Sequence, residues 1–422
     1  MTPALRVAIT ARSVFPIHGH GGLERSVYDL VRHLARNGVQ VTLITRTPRG
    51  PVSSEAIHPD VTLSLVPYRT FPFAGRRGTT VIDRSTAYPL FGKLAGAFAA
   101  SLVEQGAIDL VHGFGASVLG YARRRDELGA PLVLNPQGLE EFGGTAPSRA
   151  RLKRIAYLPL RRAVLACAAA ADAVIATDRS LEPAVQGHLE IPASKIVTIP
   201  NALDLEEVDG LAGPAEGTAM RARAGIRRGE LVLLSVGRLE QNKGFHVLAQ
   251  SLAALREHSG RLAHGNWRWV LVGGGPFQGR LEALATELRL ADHIHFAGRL
   301  PDRDLHAWYE AADLFVHPTL YEGSSLVTLE AMAHRRACVV TDAGGLPDKV
   351  QTGVNGWIVA AGDPGALAAA ISGALEDRER LSRMGTAGRE IVERGFSWQT
   401  AVRETLALYQ RLLGGRRAPA RP

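Results

Sequence analysis

Short apolar runs, each followed by a longer stretch of helical periodicity, repeat along most of this 422-residue chain. Runs so short and so apolar suit strands buried on both faces, and their alternation with helices suits parallel sheets built from βαβ units. In the first half the pattern predicts strands at residues 5–10, 39–45, 61–66, 110–112, 132–135, 173–176 and 196–199, with a helix over 23–36 stopped by Asn37-Gly38. The series restarts at 231–236 and continues at 269–272, 294–296, 314–317, 337–341 and 357–359, before a last helix over 400–413. Segment 204–217 is acidic, carries Gly and is weakly periodic, so it reads as the domain boundary. The expected fold class is α/β, with two doubly wound domains at 1–200 and 201–395. A closing helix at 396–415 and a basic tail at 416–422, read as disordered, complete the chain. Ligands of such sheets lie at the carboxyl ends of the strands, so the expected site is a central cleft that both sheets face.

Composition narrows the function. Hydrophobic residues make up 46% and charged residues 21%, which excludes wholesale disorder. The two cysteines, Cys167 and Cys338, lie in apolar surroundings and suit neither a disulfide framework nor a zinc site. The opening MTPALRVAIT reads as a strand rather than a signal peptide, and no apolar run approaches the ~20 residues of a membrane span, so a cytoplasmic protein is expected. The net charge of +8 is uneven: residues 1–205 hold 23 basic and 16 acidic side chains, the remainder 26 and 25. Either the first half meets an anionic partner, or it carries a solvated Arg-rich face. Arg149, Arg151, Lys153, Arg154, Arg161 and Arg162 lie among Leu152, Ile155, Tyr157, Leu158 and Leu160, with Arg76, Arg77 and Arg123 to Arg125 adding to the field. That mixture suits peripheral attachment to the anionic inner leaflet of a membrane as well as an ordinary basic helix. Nucleic acid is rejected as a partner, because aromatics are 6% of the chain and do not interleave with a basic stripe.

Four turns carry the candidate chemistry. His18-Gly19-His20-Gly21-Gly22 precedes the first helix, where glycines let backbone N–H groups approach an anion. Two histidines in a loop are a weak metal signal, and no metal is expected. Gly237-Arg238 follows a strand, with Lys243-Gly244 ahead of the next helix, so two cations can neutralise a diphosphate. Gly273-Gly274-Gly275-Pro276 imitates a dinucleotide fingerprint, but its glycine spacing is wrong and no acidic residue ends the next strand, so a nicotinamide cofactor is rejected. The most informative turn runs from His317 through Glu322-Gly323-Ser324-Ser325-Leu326-Val327 to Glu330. Ser325 can cap a helix whose N–H groups face phosphate, while carboxylates on either side accept hydrogen bonds from sugar hydroxyls. A nucleotide sugar fits this layout.

With Ile199-Pro200-Asn201-Ala202-Leu203-Asp204, Phe296-Ala297-Gly298-Arg299-Leu300-Pro301-Asp302, Gly344-Gly345-Leu346-Pro347 and Gly353-Val354-Asn355-Gly356-Trp357, these turns make the second half resemble the family-four retaining glycosyltransferases. The first half resembles that family through Gly21-Gly22-Leu23-Glu24 and Asp109-Leu110-Val111-His112. The resemblance implies the GT-B fold, two Rossmann-like domains facing a central cleft. It implies that Arg238 and Lys243, beside Gly237, bind the donor diphosphate, that Glu330 holds the ribose and that Glu322 holds hydroxyls of the transferred sugar. Backbone groups of Gly21, Gly22, Gly323, Ser324, Ser325, Leu326 and Val327 would complete the anion cradle, and Gly298, Arg299 and Leu300 would border the base. His112, Arg238, Lys243 and Glu322 are the catalytic candidates.

Three positions depart from the family pattern. Phe114 stands where many members carry a second His, Ser324-Ser325 replaces a small-aromatic pair, and Asn135-Pro136-Gln137-Gly138 replaces the usual His or Asp neighbours. Gln137 is read as an acceptor-side polar group. The implied reaction is transfer from a nucleotide sugar, UDP-linked before GDP-linked, to a hydroxyl of a glycan, glycolipid or small molecule, with retention and with neither cofactor nor metal. The competing readings are a nucleotide-sugar epimerase, a sugar phosphorylase and, more distantly, a non-catalytic nucleotide-sugar sensor.

Overall fold

The computed structural model describes residues 4–19, 21–48, 50, 57–70, 80–136, 139, 142, 155–257 and 266–414. They divide into two compact units, Met1–Asn201 with Trp398–Pro422, and Ala202–Ser397.

The first unit is built on strands β1 (Arg6–Thr10), β2 (Gln40–Arg46), β3 (Val61–Val66), β4 (Leu110–Phe114), β5 (Leu132–Asn135), β6 (Ala173–Ala176) and β7 (Ile196–Thr198). They form one parallel sheet in the order β3-β2-β1-β4-β5-β6-β7. One face packs Ala8, Val111, Leu132 and Val174 against Phe91, Ala95 and Ala99 of helix Thr80–Glu104 and Val164 and Cys167 of helix Leu158–Ala170. The closing helix Trp398–Gly414 also belongs to this unit, where Trp398 stacks on His33 at a centroid distance of 5.5 Å.

The second unit contains β8 (Leu231–Val236), β9 (Trp267–Val272), β10 (Ile294–Gly298), β11 (Leu314–His317), β12 (Cys338–Thr341) and β13 (Gly356–Val359), ordered β10-β9-β8-β11-β12-β13 and parallel throughout. Successive residues point to opposite faces, and both faces are covered. Leu231, Leu233, Trp267 and Trp269 enter one core, and Val232, Leu234 and Val270 the other. That is why these strands read as largely apolar runs.

Segment 204–217, expected to be the boundary, lies inside the second unit. It folds into helix Leu205–Leu211, capped by the Asp204 side chain accepting from Glu207 N at 3.2 Å, and the start of helix Pro214–Arg223. Each buries few side chains, Val208 in the first and Gly217 and Met220 in the second, too few to print a helical period on the sequence. The units divide between Asn201 and Ala202.

Strand order reverses direction between β1 and β4 and again between β8 and β11. In open α/β sheets the switch point is where ligands bind, outside the carboxyl ends of the strands.

Candidate active site

The switch point of the second unit gathers the side chains singled out by the sequence. β8 and β11 are paired neighbours, and each runs directly into a candidate loop, β8 into Gly237 and β11 into Pro318. The two loops touch backbone to backbone. Gly244 has φ +69°, and a Cβ there would stand 1.8 Å from the Pro318 carbonyl oxygen, so no larger residue fits. Leu320 N donates to Asn242 O at 2.8 Å across the same seam. A third loop, after β12, closes against the second. A Cβ on Gly344, at φ +56°, would stand 2.0 Å from Glu322 O, and Gly345 N donates to Gly323 O at 2.9 Å.

Within this frame Glu322 accepts from two side chains on one oxygen. Lys243 Nζ and His317 Nε2 each lie 2.8 Å from Oε2, while Gly323 N donates to Oε1 at 3.2 Å. Burial by itself would raise the Glu322 carboxyl; the hydrogen bond from His317 and the charge of Lys243 outweigh it and hold the group down at about 2. Burial pushes His317 below the ordinary imidazole range, so the neutral ring donates through Nε2–H. Its Nδ1 is buried without a partner in the structure.

Beside this carboxylate begins helix Leu326–Ala333. Ser325 is its N-cap, the side chain accepting from Thr328 N at 3.4 Å, and the N–H groups of Leu326 and Val327 keep no intrahelical partner. Glu330, a turn further on, accepts from Tyr309 Oη at 2.8 Å. Behind it a buried relay runs from Tyr309, stacked on His334 at 5.7 Å, to Glu310 Oε1, 2.6 Å from His334 Nδ1, and to His306 Nδ1, 2.7 Å from His334 Nε2.

Arg238 stands at the rim, largely exposed and paired with Glu240 Oε1 at 2.6 Å. Gly237 N donates to Val272 O at 3.0 Å, tying this loop to β9. Gly298 ends β10 at φ +68°, followed by exposed Arg299 and half-buried Leu300. The Gly273–Gly275 turn is used internally: Gly273 N donates to Gly298 O at 2.8 Å, and Gly274 O accepts from Leu239 N at 3.3 Å.

In the first unit Gly21 caps helix Gly22–Arg36, and the Glu24 carboxylate folds back towards that N-terminus, 2.5 Å from where a Gly21 Cβ would be. His18 is committed to the backbone, Nδ1 accepting from Val14 N at 3.2 Å and Nε2 lying 2.8 Å from Arg46 O. His112 lies in β4, 1% exposed, with Nδ1 2.6 Å from Tyr409 Oη and its ring stacked on Phe114 at 5.1 Å. Burial pushes it down to about 3. Of the basic residues, Arg124 pairs with Glu104 and Glu127, and Arg125 with Asp172. His20, Arg76, Arg77, Gln137, Arg149, Arg151, Leu152, Lys153, Arg154 and the tail 416–422 lie outside the described residues.

Two family models account for the chain: Glycosyltransferase Family 4 over residues 20–207 and Glycosyl transferases group 1 over 217–391. D-inositol 3-phosphate glycosyltransferase 1 of Catenulispora acidiphila is 30% identical over 420 residues, 94% of this chain and 93% of its own. The chain belongs to the group 1 glycosyltransferases. A second relative, D-inositol 3-phosphate glycosyltransferase of Segniliparus rotundus, is 30% identical over 95% of this chain and 87% of its own. Among solved structures, sucrose-phosphate synthase from Thermosynechococcus elongatus superposes with a TM-score of 0.78 at 23% identity, covering 98% of this chain and 100% of its own. Anabaena HepE, solved in complex with UDP and glucose, gives 0.71 at 21%, covering 96% and 99%. The fold of this glycosyltransferase is therefore GT-B, with two Rossmann-like units.

Three supports of the candidate site leave little trace in the sequence. His317 was legible as a strand end but not as a partner of Glu322, although a His five residues before a loop carboxylate is a usable signal. Tyr309 is 21 positions from Glu330 on another helix, and Lys349 is 25 from Ser324. Neither pairing leaves a local trace.

Proposed function

We propose that this glycosyltransferase moves a sugar from a nucleoside-diphosphate donor, UDP-linked before GDP-linked, to an acceptor hydroxyl with retention and without a metal. The observation that carries this reading is the convergence of Lys243, Glu322 and the capped N-terminus of helix Leu326–Ala333 at one switch point. As the C1–O bond to the diphosphate breaks, the electron pair leaves with the nucleotide. Lys243, Arg238 from the rim and the N–H groups of Leu326 and Val327 stabilise that growing charge more than the ground state. Glu330, oriented by Tyr309, holds ribose hydroxyls, Glu322 holds the sugar, and Gly298, Arg299 and Leu300 border the base.

Glu322 is a poor candidate nucleophile. A carboxylate with three donors and a pKa of about 2 is weakly basic, which favours same-face attack by the acceptor oxygen, its proton passing to the departing phosphate. His112, enclosed by Phe114 and Tyr409, is assigned to supporting β4 rather than to touching the reacting atoms.

For the acceptor, the relatives' names make D-inositol 3-phosphate the first compound to test, and the positive first half suits an anion of that kind. A lipid-linked glycan is the second. No described helix is long and apolar enough to cross a membrane. Attachment to an anionic cytoplasmic leaflet is supported by exposed Ile155 and Leu158 beside Arg162, and by Ile82, Leu90, Leu94 and Phe98 exposed on helix Thr80–Glu104. Sedimentation with phosphatidylglycerol vesicles tests it, and binding equal to that of neutral vesicles refutes it. The transfer itself is tested by nucleotide release from UDP-, GDP- and ADP-glucose with D-inositol 3-phosphate, with and without EDTA. A labelled product of retained configuration, unaffected by EDTA, is expected; release without acceptor product would favour an epimerase or phosphorylase.

A further inference from the structure

The loop after β12 buries a lysine beneath the loop that bears Glu322. Lys349 is 0% exposed, yet its Nζ lies 3.2 Å from Ser324 Oγ and 3.2 Å from Gly345 O, with the Phe396 ring centroid 5.5 Å away. A lysine stem of this length fills core space as well as a methionine would, so packing alone does not call for an ammonium here. Two of its polar contacts go to segments that frame the site: Gly345, whose N–H holds Gly323 O, and Ser324, the residue between Gly323 and the helix cap Ser325.

The direction of the hydrogen bond matters. An ammonium has donors and no acceptor, so Ser324 Oγ accepts from Lys349 and its own proton must point elsewhere. A hydroxyl whose oxygen accepts from a cation is a stronger donor, and half-buried Ser324 directly precedes Ser325, the cap of helix Leu326–Ala333.

Resting on the nucleotide-sugar reading above, we propose that Lys349 is a positioning residue that turns and polarises the Ser324 hydroxyl towards an anionic oxygen of the bound donor. That oxygen belongs either to the diphosphate or to a carboxylate on the transferred sugar. Lys349 itself stays buried and touches no ligand.

The test compares wild type, K349M, S324A and the double variant by calorimetric titration of UDP, UDP-glucose and UDP-glucuronate, with uridine followed by saturation-transfer NMR and unfolding midpoints recorded for each protein. K349M and S324A are each expected to weaken binding about tenfold, as loss of one charge-assisted hydrogen bond does. The double variant should be no weaker than K349M, because the two groups act as one. Uridine should bind all four alike, and the unfolding midpoints show that each variant is folded under the titration conditions. Equal losses for all three nucleotides assign the oxygen to the diphosphate; a loss confined to UDP-glucuronate assigns it to the sugar. Wild-type affinity in S324A, additive effects in the double variant, or a parallel loss of uridine overturns the proposal, and S324A decides even if K349M fails to fold. If wild type binds none of the nucleotides, the proposed function fails and this inference fails with it. If wild type binds and S324A binds equally, this inference alone fails.

Discussion

Lys243 Nζ lies 2.8 Å from Glu322 Oε2, joining loops that leave neighbouring strands 79 residues apart in sequence. Both partners are largely buried, so the pair holds the cation in place and keeps the carboxylate ionised; in the proposed reaction that cation faces the growing donor charge. Replacing Lys243 by Met should lower kcat/KM about 10²–10³-fold, the ~2.7–4 kcal/mol that one transition-state donor supplies. It should also lower stability by up to about 3–5 kcal/mol, because Glu322 loses a buried counter-charge. Steady-state kinetics and urea unfolding of K243M check both. Unchanged kinetics with lowered stability would make the pair purely structural.

Two buried imidazoles should set the response to acid. His112 is held at about 3 and His317 below its ordinary range, each by burial. In the unfolded chain both titrate near ~6.5. Their contribution to stability is complete above that value and falls as the pH drops towards the folded values, by about 1.4 kcal/mol per pH unit and site. Glu322 adds a later loss. Its contribution is present above the unfolded value of ~4.3 and disappears as the pH falls through about 2. Urea unfolding at pH 7.5, 6 and 5 should show the first decline, and H112Q should flatten it. An identical slope in H112Q would contradict the assignment.

In the proposed reading, Tyr309 orients the Glu330 carboxylate that holds the ribose. Y309F should leave Glu330 without its 2.8 Å donor, costing about 1–3 kcal/mol of stability. It should also raise KM for the nucleotide sugar with little change in kcat, because ribose contacts are made equally in ground and transition states. Equal falls in kcat and kcat/KM would place Glu330 at the reacting centre instead.

Gly344 makes the frame itself testable. G344A would place a methyl 2.0 Å from Glu322 O at φ +56°, so the loop must shift. A stability loss of roughly 1–3 kcal/mol is expected, with donor binding weakened more than in a surface control such as G395A, where a Cβ meets nothing. Binding equal to the control would show that the seam between these loops does not shape the site.

The central strands were legible because burial on both faces prints an apolar run, as in Leu231–Val236, where every residue is buried. The helix pair after Asp204 was not, since shallow helices with so few buried positions look like linker. Helix Thr80–Glu104 runs through Pro89, a residue that argues against a continuous helix from sequence alone. In the site, residues next to glycine turns stood out, including Arg238, Lys243, Glu322 and Ser325. Their supports, His317, Tyr309 and Lys349, acquire meaning through contacts that only the fold supplies.

Titration of UDP-glucose into wild type and K243M, each in EDTA, is the most direct test of a nucleotide-sugar site at the switch point of the second unit. Wild type should bind in EDTA, and K243M should bind at least about tenfold more weakly, the loss of a charge-assisted contact. Equal affinities would move the donor site away from Lys243 and Glu322 and contradict the proposed reaction at its base.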